Sequence, residues 1–217
     1  MINKILKLIF PVGYIRYRAY KLLIVKQNSY LYSQGWLESI KRGYPCRKDG
    51  AALPWMNYSI ISFLEKRFKS NFSLFEYGCG YSTLFYSRYV KSVTSVEHDA
   101  SWYESIKGMV PCNVKLIFKE GDHDGDYCRS VKQEGNQYDV IIIDGRDRVN
   151  CVKQSIESLS SGGVIMLDDS GRKRYVDGIN WAREKGFLEL DFEGLKPTGS
   201  GLDKTTIFYR KHNCFNI

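Results

Sequence analysis

From Phe72 to the C-terminus the chain alternates short apolar runs with longer amphipathic ones, a pattern that few folds accommodate. It predicts strands over residues 73–77, 92–96, 114–118, 138–143 and 164–167. Helices are predicted over about 82–89, 100–109, 149–159 and 177–185, with Gly162 and Gly163 breaking the third and Gly186 closing the last. The run 138–143 ends in Val-Ile-Ile-Ile and reads as the central strand, because a strand covered on both faces is apolar throughout. Two final strand-like runs, 187–192 and 205–210, are joined by Pro197-Thr198-Gly199-Ser200-Gly201 without a helix, so they pair antiparallel. The expected fold class is α/β: a doubly wound, mostly parallel seven-stranded sheet whose antiparallel C-terminal strand lies at its edge. A helix over 57–69 carries Ile60, Ile61, Leu64 and Phe68 at helical spacing, and Trp55 before it either packs in the core or lines a ligand cleft. The chain divides into a basic, partly helical extension, 1–53, and a folded domain, 54–217.

Charge sharpens that division. The net charge is +8, yet residues 1–48 hold ten Lys and Arg against one acid, Glu38, leaving the rest close to neutral. An enzyme acting on nucleic acid carries its basic footprint beside its active site, so no nucleic-acid partner is expected. Six scattered cysteines without a CxxC pair argue against a zinc site or disulfide framework, and they fit small core residues in a reducing cytoplasm. In residues 1–26 the apolar runs 5–12 and 22–25 are too short and interrupted to cross a bilayer, and no small-residue cleavage site follows. Two readings stand for this segment. One is a helix packed on the domain or a partner, the commoner fate of such helices; the other is a basic segment resting peripherally on an anionic inner membrane face.

The first predicted strand runs into Glu76-Tyr77-Gly78-Cys79-Gly80-Tyr81-Ser82-Thr83. Open parallel sheets bind ligands beyond the carboxyl ends of their strands, and Gly78 and Gly80 let the backbone turn tightly and approach one. A nicotinamide cofactor needs a third glycine, in GxGxxG, where this chain has Thr83, which argues against a dehydrogenase. The second strand ends in Val96-Glu97-His98-Asp99, and an acid there, about twenty residues on, can take both hydroxyls of a ribose through its two oxygens.

Glu76-Tyr77-Gly78-Cys79-Gly80 resembles the first motif of class I S-adenosylmethionine-dependent methyltransferases, E/D-x-G-x-G, and Val96-Glu97 resembles their second. The likeness runs from about residue 54 to 210 and includes the antiparallel final strand. It implies S-adenosylmethionine as cofactor, with Glu76 near its methionine end and Gly78 and Gly80 backing it. It places Ser82, Thr83 and His98 in the same site and Glu97 on the ribose. Asp122, in the loop Glu120-Gly121-Asp122-His123-Asp124-Gly125-Asp126, would meet the adenine amino group, or else is simply a solvated acid.

The fourth strand ends in Asp144-Gly145-Arg146-Asp147-Arg148 and the fifth in Asp168-Asp169-Ser170. Carboxylates converging at adjacent strand tips repel unless protons or a cation intervene, and hard oxygen ligands suit Mg²⁺. The set resembles that of metal-dependent O-methyltransferases acting on catechols and macrolide sugars, which implies Asp144, Asp168 and Asp169 as metal ligands. The chain departs from the catechol type in Ser170, where Asn is expected, and in Asp147, where a lysine base is expected. Asp144 and Asp147 are the candidate catalytic residues, although Asp147 can equally pair with Arg146 or Arg148. In the competing reading Asp144 hydrogen-bonds cofactor or substrate while Asp168 and Asp169 cap a helix. Arg146, Arg148, Arg172, Lys173 and Arg174 gather after these strands and can clamp a phosphate or carboxylate. The activity implied is methylation of a hydroxyl on a sugar, glycan or other small acceptor. The rivals are an aminopropyltransferase like spermidine synthase, which shares a run similar to 138–144, and a non-catalytic Rossmann-like binding module.

Overall fold

In a computed structural model of the protein, which describes residues 10–217, the alternation folds into a single seven-stranded sheet. The strands are β1 (Ser73–Tyr77), β2 (Ser92–Glu97), β3 (Val114–Phe118), β4 (Tyr138–Ile143), β5 (Leu159–Leu167), β6 (Leu188–Leu195) and β7 (Leu202–Tyr209), in the order β3-β2-β1-β4-β5-β7-β6. β1 to β5 are parallel, and β4 holds the centre with Val140 to Ile143 fully buried. The reversed strand, expected at the edge, lies one strand inside it. β7 pairs antiparallel with β5 and with β6. Burial explains the exchange: β7 buries Thr205, Thr206, Ile207 and Phe208, whereas β6 buries none of its residues and leaves Asp191 and Glu193 exposed. Gly162 and Gly163 do not end a helix but lie within β5, where the register with β4 shifts. A Cβ on Gly163 would come within 2.7 Å of the Tyr138 carbonyl oxygen, so the close approach of the two strands requires glycine.

Alternating strand residues feed two cores. Phe75, Ile141, Ile143, Ile165, Leu167 and Phe208 point to one face, which α7 (Asp126–Gln133), α8 (Arg148–Ser155) and α9 (Val176–Glu184) cover. Leu74, Val140, Ile142, Val164, Met166 and Ile207 point to the other, beneath α4 (Tyr58–Arg67) and α5 (Tyr81–Tyr86). Asn57 caps α4 by accepting from the Ile60 amide at 3.0 Å. Helix α6 (Ala100–Lys107) follows β2 and is capped by Asp99. α7 falls in a stretch that the sequence pattern leaves without an element.

Upstream lie α1 (Pro11–Tyr20) with a π-helical continuation at Lys21–Val25, then α2 (Tyr30–Gln34) and α3 (Trp36–Arg42). Part of the expected extension, 1–53, contacts the domain. Ser39, Cys46 and Leu53 are buried, Trp36 donates to the Gly199 carbonyl at 3.1 Å, and Arg47 pairs with Glu65 at 2.7 Å. α1 and its continuation contain no buried residue, so of the expected packing on the domain or on a partner, the structure shows none on the domain. Much of the predicted run 5–12 lies outside the described residues.

Candidate functional site

Strand order reverses between β1 and β4, and the tips there open onto a cleft of about 1100 Å³. That is room for a cofactor with an acceptor beside it. Gly78, at the end of β1, has φ +92°, and a Cβ there would stand 3.0 Å from Gly145 Cα on the β4 turn. Any side chain would strain the backbone and push the two turns apart. Gly80 is extended, and its amide donates to Thr83 Oγ1 at 2.9 Å.

Glu76 does not line the cleft. It is fully buried behind the turn, accepting from the Ser82 hydroxyl, from Thr83 Oγ1 at 2.5 Å and from Ser95 Oγ at 2.8 Å. Burial pushes its carboxyl up to about 7 against those three donors. Glu76 and Thr83, expected on the cofactor, instead brace the glycine turn, while Ser82 lies at the cleft wall. Asp122 is likewise occupied elsewhere. Its oxygens accept from the amides of Asp126 and Tyr127 at 2.8 and 3.1 Å, which secures the start of α7 and holds its carboxyl below the ordinary range.

Glu97 sits on the cleft at the tip of β2. Its Oε1 accepts from the amides of His98 and Asp99 at 2.7 and 2.8 Å, and its Oε2 from the Cys79 amide at 3.0 Å. A carboxylate oxygen has two acceptor positions, so Oε2 keeps one for a ligand hydroxyl and Oε1 keeps none. The expected two-oxygen grip on a ribose narrows to Oε2. His98 shares the wall and accepts from Arg146 Nε at 3.1 Å. Residues not singled out from the sequence complete this end. Trp102 donates to the Cys79 carbonyl at 2.8 Å, and Tyr81 stacks on Tyr44 with centroids 4.4 Å apart. Trp55 is 53% exposed and lines the cleft, which settles its two readings.

Across the cleft, Asp144 Oδ1 accepts from Arg148 Nη2 at 2.7 Å, while its Oδ2 has no hydrogen bond among the described residues. Burial raises its pKa above the ordinary carboxylate range, and Arg148 opposes that rise. Arg148 is buried and also donates to the carbonyls of Asp168, Asp144 and Gly145, so one guanidinium ties the tips of β4 and β5 together. Asp147 reaches the wall with φ +47°, yet its oxygens accept from Asn150 Nδ2 and the Asp124 amide, with His123 Nδ1 at 3.1 Å. It pairs with neither Arg146 nor Arg148.

The three carboxylates expected to share a metal do not form one set. Asp168 and Asp169 cluster with Asp203, not with Asp144, and Lys196 Nζ sits 3.3, 3.0 and 3.1 Å from the three acids. Arg172 adds a bond to Asp169 at 2.6 Å. The cation that repulsion demands is thus supplied by Lys196, Arg148 and Arg172, and the donor set does not fit Mg²⁺ as it stands. Nor do Asp168 and Asp169 cap a helix: Asp168 takes Thr205 Oγ1 at 2.7 Å instead.

No family model matches the chain, and no curated protein does. Solved structures do. The O-methyltransferase TomG of Streptomyces achromogenes, in complex with SAM, superposes with TM-score 0.55 at 16% identity over 90% of this chain and 95% of that one. A methyltransferase from Pyrococcus furiosus matches at 0.52 and 18% identity, covering 82% and 94%. A precorrin-6y C5,15-methyltransferase from Geobacter metallireducens matches at 0.52 and 15%, covering 69% and 86%. With its β7 reversed between β5 and β6, the chain has the Rossmann-like fold of these methyltransferases.

Proposed function

We propose that the protein is an S-adenosylmethionine-dependent methyltransferase acting on a hydroxyl of a small or glycan acceptor. The observation that carries this reading is the single cleft between the Gly78–Gly80 turn with Glu97 on one side and Asp144, with a free oxygen, on the other. S-adenosylmethionine supplies an electrophilic methyl group to an acceptor oxygen. The chain's part is to hold and align. The glycine turn admits the cofactor's backbone-facing edge, Glu97 Oε2 takes a ribose hydroxyl, and Trp102 with Tyr81 walls the site against water. Asp144 Oδ2 accepts the acceptor's proton, a role its raised pKa favours.

At the acceptor end Arg146, Arg172, Arg174 and Tyr175 line the cleft. Arg172 is engaged by Asp169, but neither Arg146 nor Arg174 has a carboxylate partner among the described residues. Two available guanidiniums suit a phosphate or carboxylate on the acceptor.

Isothermal titration with S-adenosylmethionine and S-adenosylhomocysteine tests the reading. Both should bind, and Glu97→Ala should weaken both by roughly 10–100-fold, the worth of one charge-assisted hydrogen bond. Absence of binding by folded protein would remove the proposal. Preference for the decarboxylated cofactor would turn it toward aminopropyl transfer.

A further inference from the structure

The start of the described chain is apolar, basic and unpacked. α1 and the turn Lys21–Val25 contain no buried residue. Phe10 is 66% exposed, Ile15 64% and Leu23 51%, and Val12, Tyr17, Tyr20, Leu22 and Val25 are exposed with them. A helix that merely covers a core shows one apolar stripe. Here that stripe is Val12, Ile15 and Ala19, opposite Tyr14, Tyr17 and Arg18, and no described residue buries it. Scattered single apolar residues on a surface are ordinary, but a contiguous run of this kind marks an interaction site.

We propose that residues 10–26 dock the protein on an anionic lipid surface. Charge chooses this occupant. Arg16, Arg18, Lys21 and Lys26 lie among the apolar side chains, and no acid occurs before Glu38. Pairing with a second copy would set these cations against one another, whereas anionic headgroups neutralise them. Ten residues of α1 and five of its continuation extend for about 22 Å, short of a hydrocarbon core of about 30 Å, and among the described residues no helix is long and apolar enough to cross a membrane. Arg16, Arg18, Lys21 and Lys26, spaced through the segment, suit the interface rather than the hydrocarbon core. Tyrosines 14, 17 and 20 suit the headgroup level, and the long basic side chains can bury their stems while their charges reach the phosphates. The segment leads through α2 and α3 directly to Gly43, Tyr44 and Pro45 on the cleft rim. The proposal does not depend on the cofactor.

Flotation of the full-length protein with vesicles tests it, comparing phosphatidylcholine alone with phosphatidylcholine mixed with phosphatidylglycerol. The protein should float with the anionic vesicles and be released by salt. Arg16→Ala with Arg18→Ala should weaken binding by roughly tenfold or more. Leu22→Glu with Leu23→Glu should abolish it while leaving the melting midpoint unchanged, since neither leucine touches the core. No flotation by folded protein would overturn the proposal, as would flotation that survives the paired glutamates. So would a concentration-dependent dimer that those glutamates disrupt, which would show that the face pairs with a second copy.

Discussion

At the scale of single residues, the two candidate catalytic acids separate by what their oxygens already hold. Both oxygens of Asp147 are engaged, chiefly by Asn150 and the Asp124 amide, and its left-handed backbone fixes it as a clasp for the neighbouring loop. Asp144 has one oxygen on Arg148 and one toward the cleft. In a methyl-transfer assay with a hydroxyl acceptor, Asp144→Asn should lower kcat by about 10²–10⁴-fold, the usual worth of a general base. Asp147→Asn should cost stability more than turnover. If the two variants lose kcat equally, the assignment of the base to Asp144 is wrong. The sequence shows where these acids lie in the chain but not which oxygens stay free, because Asn150, Asp124 and Arg148 become partners only once the turns are folded. Glu76 is the sharper case. As a motif residue it is conspicuous, yet the hydroxyls of Ser82, Thr83 and Ser95 draw it behind the turn.

At the scale of elements, strands β1 to β4 are legible almost to the residue, since apolar runs bounded by glycine and charge have no other use in a parallel sheet. α7 is missed because polar residues outnumber apolar ones in it, and only Tyr127, Cys128, Ser130 and Val131 turn inward. The place of β7 is missed because strand order follows from burial across the whole sheet edge rather than from sequence adjacency. The same distance hides Lys196. It lies in the connection between β6 and β7, remote in sequence from Asp168 and Asp169, and the hairpin carries it into their midst. Its pKa is raised there: burial opposes the charge, but Asp168 and Asp169 outweigh burial. Lys196→Met should destabilise the domain by on the order of 3 kcal/mol, since it strands a cluster of buried carboxylates. Magnesium should leave the melting midpoint of the unaltered protein unchanged but raise that of the variant, in which the three acids have lost their cation. A magnesium-dependent shift in the unaltered protein would restore the metal reading.

At the scale of the whole molecule, a carboxyl buried where β1, β2 and α5 meet makes stability depend on pH. Glu76 rises from an ordinary 4.5 to about 7, and Asp168, buried at the tip of β5 with Asp144 as its next cause, rises from 3.8 to about 7. Each therefore holds its proton more tightly in the folded than in the unfolded chain. The stability this contributes is complete below the unfolded pKa values and is lost as pH rises through about 7. The sign is opposite to that of a carboxylate in a surface ion pair. The melting midpoint should thus fall between about pH 5 and 8, where most paired carboxylates of the protein are already fully ionised. Glu76→Gln keeps a neutral group of the same shape among the three hydroxyls, so it should flatten that fall while lowering stability at the acid end. A variant whose midpoint tracks the unaltered protein across the whole range would exclude Glu76 as a source of the slope, leaving Asp168→Asn to be measured in the same way.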